Sequence, residues 1–275
     1  MGHENSTDTA AAESDLGQYQ AVILAGGLGS RLQEETVTRP KPMVEIGQRP
    51  ILWHLMKIYS RHGVNRFIIC LGYRGYVIIE YFANYFLHNA DVTVDLASNS
   101  VEYHQSKVDP WRVTLLETGQ STMTGGRLKR IREHLDLDRP FLMTYGDGLA
   151  DVNLRALVEF HHGHGRRATM TVVRPPGRFG TVALDGPAIS HFVEKPEGEQ
   201  GYINGGFFVL EPSVLDLVSG DDTVWENEPL KSLAAGGELM GFRHDGFWKP
   251  MDTLRERNEL EAMWATGNAP WKIWE

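Results

Sequence analysis

Apolar runs and glycine-rich breaks follow one another along the chain in the order strand, loop, helix, strand. Gln20-Ala21-Val22-Ile23-Leu24-Ala25 is apolar at consecutive positions, as a parallel strand covered on both faces would be. It runs directly into Gly26-Gly27-Leu28-Gly29-Ser30-Arg31. Ile51 to Tyr59 then carries apolar residues at helical spacing, with Gly63 placed to cap it. The apolar strand Phe67-Ile68-Ile69-Cys70-Leu71 follows and completes a βαβ unit. The pattern predicts a further helix near 76–87, a short strand over Val92 to Leu96 and a helix starting near Gly126 to Leu128. The strand after it, Phe141 to Tyr145, ends in Gly146-Asp147-Gly148.

Beyond residue 150 the text changes to short strands parted by Gly and Pro turns, near 168–173, 181–184, 192–194 and 207–210. A helix is expected from Leu254 to Trp264. No linker, repeat or low-complexity tract divides the chain, which reads as one α/β domain over 19–275. It falls into halves over about 19–150 and 151–275. Residues 1–18 are polar and read as a disordered N-terminal extension.

Composition narrows the setting. The chain has 275 residues, 41% hydrophobic and 23% charged, enough for one large core. A net charge of −9 argues against nonspecific nucleic-acid binding while leaving room for local phosphate pockets. Cys70 is the sole cysteine and lies in an apolar strand, so no internal disulfide forms and a reducing, cytoplasmic location is expected. The N-terminus lacks an apolar signal core, and its bare Met1-Gly2 myristoylation pattern has no second membrane signal. No membrane partner is expected.

Three glycines in four residues leave backbone N–H groups free to approach a phosphate chain, with a plain tight loop as the alternative. Arg31 offers a fork for phosphate oxygens, and Lys41, framed by Pro40 and Pro42, offers a compact charge at a fixed place. A Walker loop would end in Gly-Lys-Ser/Thr, and a dinucleotide fingerprint would have glycine where Leu32 stands; neither occurs. Ligands of open α/β sheets sit at carboxyl ends of strands, which places the glycine loop and Asp147 in one site. A carboxylate between glycines at a strand end needs a cation. Asp252 stands at the start of the last expected helix, where on its own merits an N-cap is the stronger reading; a second carboxylate with triphosphate oxygens would instead complete a Mg²⁺ site. Lys195, followed by Pro196, could bind a second phosphate or be a surface lysine. Asn204-Gly205-Gly206 suits sugar hydroxyls or an ordinary turn. His161, His162 and His164 crowd one helix end, but a metal site needs convergent, supported ligands.

LAGGLGSRL, RPKPM, TMTGGRL, YGDG, EKP, INGGFFVL and GFWKPMDTLRE occur in that order. By these motifs the chain, from about residue 19 to 275, resembles the sugar-1-phosphate nucleotidylyltransferases. Glu117-Thr118-Gly119, the segment Thr122 to Arg127 and the tail Ala269 to Trp274 are most similar to the glucose-1-phosphate cytidylyltransferase branch. Ser30 stands where Thr is usual and Arg39 where Lys is common, with side-chain chemistry kept. The resemblance implies a Rossmann-like mixed, mainly parallel sheet flanked by helices, with a smaller β-rich sugar-binding lobe. It implies that CTP is held by Leu24, Ala25, Gly26, Gly27, Leu28, Gly29, Ser30, Arg31, Lys41, Thr122, Arg127 and Gly146. Lys195, Asn204 and Gly205 would hold glucose 1-phosphate, and Asp147 and Asp252 would hold Mg²⁺. Arg31, Lys41 and Lys195 would carry catalysis by neutralising charge. The resemblance also implies a homo-oligomer, giving the aromatic tail something to pack against. UTP or dTTP in place of CTP, or a noncatalytic sugar-nucleotide sensor, are the alternatives.

Overall fold

Strands that are apolar on both faces need two covering layers, and the computed structural model supplies them. It describes residues 16–27, 29, 32–106, 108–175, 181–185, 188–193 and 201–275. Seven strands share one sheet: β1 Gln20–Leu24, β2 Arg66–Leu71, β3 Arg112–Glu117, β4 Phe141–Tyr145, β5 Ala168–Val173, β6 Ile203–Leu210 and β7 Leu239–His244. Their spatial order is β3-β2-β1-β4-β6-β5-β7. The first four in that order are parallel, β6 is antiparallel to both neighbours, and β7 lies parallel to β5. The sheet is thus mixed and mainly parallel, and the second half of the chain extends it through β6.

The two-residue period of the strands sorts the core. Ala21, Ile23, Phe67 and Ile69 join Leu52, Leu55 and Tyr59 of helix Ile51–Arg61 and Leu154 and Leu157 of helix Leu154–His164. Val22, Leu24, Ile68 and Cys70 face the other way, onto Leu128 of helix Thr124–Arg130 and Leu230 and Leu233 of helix Glu228–Ala235. Each buried Val, Leu, Ile or Phe among them contributes roughly 1.5–3 kcal/mol, so both helical layers are held by the same strands.

Three expectations change. The strand expected over Val92 to Leu96 forms as Ala90–Asp95, but it pairs with Ser100–Ser106 in a separate hairpin, its turn held by Asp95 Oδ1 accepting from the backbone of Ala97 and Ser98. Val92, Val94 and Val101 alternate with polar residues, so the hairpin has no apolar pair of faces to bury, and β3 takes the sheet edge instead. Leu16–Gln18, assigned to the extension over 1–18, form a short turn with Leu16 buried, while residues 1–15 lie outside the described residues. The C-terminal tail packs on its own chain. Trp271 is fully buried, stacks on Trp264 and donates from Nε1 to His54 Nδ1 at 3.3 Å.

His54 and His161 are both buried, and burial pulls each imidazole down to about 4 from an ordinary value of 6.5. The unfolded chain therefore takes up protons that the folded chain refuses once the pH drops below 6.5. Stability should fall by up to about 1.4 kcal/mol per pH unit for each ring between pH 6.5 and pH 4, with no contribution above that window. Urea midpoints across that range check it; a midpoint independent of pH from 6.5 to 5 would contradict the burial. Among the described residues no helix is long and apolar enough to cross a membrane.

Candidate active site

The strand order reverses at β1, with β2 on one side and β4 on the other, and a crevice opens where their carboxyl ends part. The backbone ties the rim together: Ala25 N–H donates to Cys70 O at 3.0 Å and Gly146 N–H to Leu24 O at 3.1 Å. A cavity of about 580 Å³ lies here. It brings together Leu24, Ala25, Gly26, Gly27, Gly29, Lys41, Thr122, Arg127, Gly146, Asp147 and Asp252. Leu28, Ser30, Arg31 and Lys195 lie outside the described residues. Gln120, Ser121, Met123, Thr124 and Tyr145 also line the cavity and were not anticipated. Tyr145 had a usable signal, since it is the last residue of a strand whose carboxyl end was already assigned to the site.

Two glycines of the loop are required by their surroundings. Gly29 has φ +63°, in the left-handed region, and its carbonyl accepts from Thr36 Oγ1 at 3.1 Å. A Cβ on Gly26 would sit 2.1 Å from Arg127 Nη1. That close approach reflects what Arg127 does: Nη1 donates to Leu71 O and to Thr118 Oγ1, both at 2.7 Å, and Nη2 donates to Gly26 O at 3.1 Å. Arg127 lines the cavity, but these hydrogen bonds go to the chain itself, fastening the loop to the ends of β2 and β3. Its immediate part is to shape the glycine loop.

Lys41 opens the short turn Lys41–Met43 and is 9% exposed. Its ammonium lies 2.5 Å from Asp147 Oδ2 and 2.6 Å from Asp252 Oδ1. Burial works against the charge, but the two carboxylates outweigh it and hold the lysine above its ordinary pKa. Asp252 is not the helix cap. Thr253 accepts from Glu256 N–H, and Glu256 reaches back to the Thr253 N–H, a complete capping box for helix Leu254–Ala265. Capping by the next residue frees the Asp252 carboxylate to turn into the cavity.

The donor set can be tested against a metal. Asp147 and Asp252 come from segments far apart in sequence and converge on one cation, and among the described residues no group of three or more His, Cys, Asp or Glu gathers anywhere. Two hard carboxylates, completed by phosphate oxygens and water, suit Mg²⁺ and would be too few for a closed zinc or calcium cage. The histidine cluster goes elsewhere: His161 Nδ1 and His164 Nε2 both meet Thr169 Oγ1, and His162 Nε2 meets the Tyr19 hydroxyl.

Asn204 and Gly205 line a smaller adjoining cavity of about 50 Å³ that shares Tyr145 and Asp147 with the main one. Asn204 Oδ1 accepts from Gly206 N–H at 2.8 Å, and its Nδ2 donates to the Tyr145 hydroxyl at 3.3 Å. Trp248 Nε1 donates to Gly205 O at 2.7 Å. The Tyr145 hydroxyl donates to Glu226, which also accepts from Thr124. Burial first, then the Glu226 carboxylate, push the phenol upward, so it remains a proton donor between the two cavities.

The chain has relatives among known proteins. A family profile described as nucleotidyl transferase matches residues 20–235. Curated glucose-1-phosphate cytidylyltransferases of Salmonella typhi and Salmonella typhimurium are each 60% identical over 256 residues, 93% of this chain and 100% of theirs. Among solved structures, HddC from Yersinia pseudotuberculosis superposes with a TM-score of 0.66 at 22% identity, covering 90% of this chain and 99% of that one.

Proposed function

The chain belongs to the nucleotidyl transferase family, and from that premise we propose that it transfers the cytidylyl group of CTP to α-D-glucose 1-phosphate, releasing pyrophosphate and CDP-glucose. The observation that carries this reading is the meeting of Lys41, Asp147 and Asp252 beside the glycine loop. A lysine with two carboxylates beside a glycine-rich backbone is suited to a triphosphate and its metal ion.

The sugar phosphate oxygen attacks the α-phosphorus in line with the departing pyrophosphate. The attacking group is already anionic, so no general base is required and no covalent enzyme intermediate forms. The loop backbone from Leu24 to Gly29 holds the triphosphate, with Arg127 fixing the loop from behind. Lys41 meets the charge that grows on the nonbridging oxygens, and Arg31 and Lys195 do the same toward the pyrophosphate and the sugar phosphate. Thr122, beside Gln120 and Ser121, faces the base; Asn204 and Gly205 face the glucose hydroxyls. Mg²⁺, held by Asp147 and Asp252, would add neutralisation of phosphate charge when bound. We further infer a homo-oligomer, for which the exposed Ile79, Phe86, Val94 and Val101 offer apolar surface. A cytoplasmic setting suits the free, buried Cys70, whose thiol burial pushes up to about 12.

Pyrophosphate release measured with each of five nucleoside triphosphates and glucose 1-phosphate tests the reading. A site that pairs the cytosine amino group leaves a buried acceptor unpaired when uracil enters, at about 1–3 kcal/mol. CTP should therefore be preferred about ten- to hundredfold over UTP. A preference for UTP or dTTP would reassign the base, and absence of turnover with every donor would leave a sensor.

A further inference from the structure

At the end of the sheet opposite the catalytic cavity, the parallel register places Gln20, Arg66 and Arg112 side by side on β1, β2 and β3. Arg66 and Arg112 are direct neighbours across the strand pair, where like charges repel. Among the described residues neither guanidinium forms an ion pair or a hydrogen bond. Acidic residues are not scarce, since the chain has 36 of them against 27 lysines and arginines. Among the described residues the two arginines thus stand abreast without a carboxylate, in a chain that has carboxylates to spare.

They also border a hollow. A cavity of about 170 Å³ is lined by Gln20, Arg66, Arg112, Thr114 and His134. Thr114 follows Arg112 by two residues and so shares its face of β3. The floor is rigid: Gln20 Nε2 donates to His134 O at 3.0 Å while its Oε1 accepts from Asp136 N–H at 2.7 Å. The Asp136 carboxylate pairs with Arg139 at 2.7 Å and is directed to that guanidinium.

We propose that this hollow is a second anion site, separate from the catalytic cavity, that binds a tetrahedral oxyanion of the phosphate class. Two forks and a hydroxyl supply donors, and the row contributes no side-chain carboxylate. The volume falls below the 300–1,000 Å³ typical of pockets for drug-sized ligands, which excludes a whole nucleotide and leaves room for one phosphoryl group. The site stands at the amino ends of the strands whose carboxyl ends carry the glycine loop and the Arg127 contacts, so an occupant would brace the same three strands.

Isothermal titration of the full chain at constant ionic strength tests this, with inorganic phosphate, pyrophosphate and sulfate as separate arms against chloride. Arg66→Gln and Arg112→Gln should each weaken phosphate binding about tenfold or more, the loss expected for one charge-assisted fork. Arg112→Lys should fall between, because it keeps the charge and loses the fork. Arg112 is exposed on the edge strand β3 and Arg66 is half-buried at the amino end of β2, so these variants should fold, and circular dichroism checks that they do. Within the binding that the Gln variants lose, a larger share for phosphate than for pyrophosphate identifies a single phosphoryl group; the reverse identifies the pyrophosphate released by the reaction. Heats no larger than chloride gives, or phosphate binding equal in the parent and both Gln variants, would overturn the proposal.

Discussion

Asp147→Asn should lower turnover by about 10²- to 10³-fold or more while leaving the fold intact, because the amide matches the carboxylate in shape and lacks its charge. The carboxylate is one of two that converge on a single cation, here the Lys41 ammonium. The neutral variant leaves Lys41 with Asp252 as its remaining carboxylate, so stability should change little and the loss should appear in catalysis. Asp252→Asn provides the paired check. Asn caps a helix about as well as Asp, so a residue serving as a cap would be almost silent in this exchange. Since Thr253 does the capping, Asp252→Asn should cost activity on the same scale as Asp147→Asn. Rates near the parent for Asp147→Asn at limiting Mg²⁺ would remove the metal assignment, and a silent Asp252→Asn would leave Asp147 as the only ligand from this pair.

The sheet could be anticipated because its central strands are buried on both faces and so read as unbroken apolar runs. Val22-Ile23-Leu24 and Ile68-Ile69-Cys70 are such runs, and their carboxyl ends carry the glycine loop and the Arg127 contacts. Edge strands were harder. β3 alternates Val113 and Leu115 with Arg112 and Thr114, and β7 carries Gly241 and Arg243, so neither announces itself above the surrounding polar text. The same limit applies at the site. Motifs brought Lys41, Asp147 and Asp252 into view, but the side chain that a carboxylate meets is a three-dimensional fact. Sequence spacing left Asp252 open between cap and ligand; the capping box one residue on takes the cap role, and the Asp252 carboxylate meets Lys41. Arg127 is a related case. The family resemblance marked it for the nucleotide, and it lines the cavity; its guanidinium also donates to Gly26, Leu71 and Thr118, residues that no local pattern links to it.

Lys41→Met should cost about 10²–10³ in rate, the usual effect of deleting one preorganised group that stabilises charge in the transition state. It should have a second effect that a purely catalytic lysine would lack. In the structure Lys41 neutralises two carboxylates, one of them about a third exposed, and its removal leaves like charges facing each other in a partly desolvated cavity. The stability loss should be about 1–3 kcal/mol, below the cost of breaking a fully buried pair because Asp147 keeps contact with solvent. Mg²⁺ would compete for the same carboxylate oxygens as the ammonium. If Asp147 and Asp252 hold Mg²⁺, the cation would have to displace Lys41 from them, so Mg²⁺ alone should raise the melting temperature of the parent little, and the shift should grow when a nucleoside triphosphate is present to receive the lysine. In Lys41→Met the carboxylates are already without their ammonium, and Mg²⁺ alone should stabilise the variant more than the parent. Thermal melts of both proteins across a magnesium titration, at fixed ionic strength and without nucleotide, measure the difference. Equal shifts in the two proteins would mean that Lys41 and the metal do not share these carboxylates, and the exchange of one cation for the other would no longer describe how the site is charged for reaction.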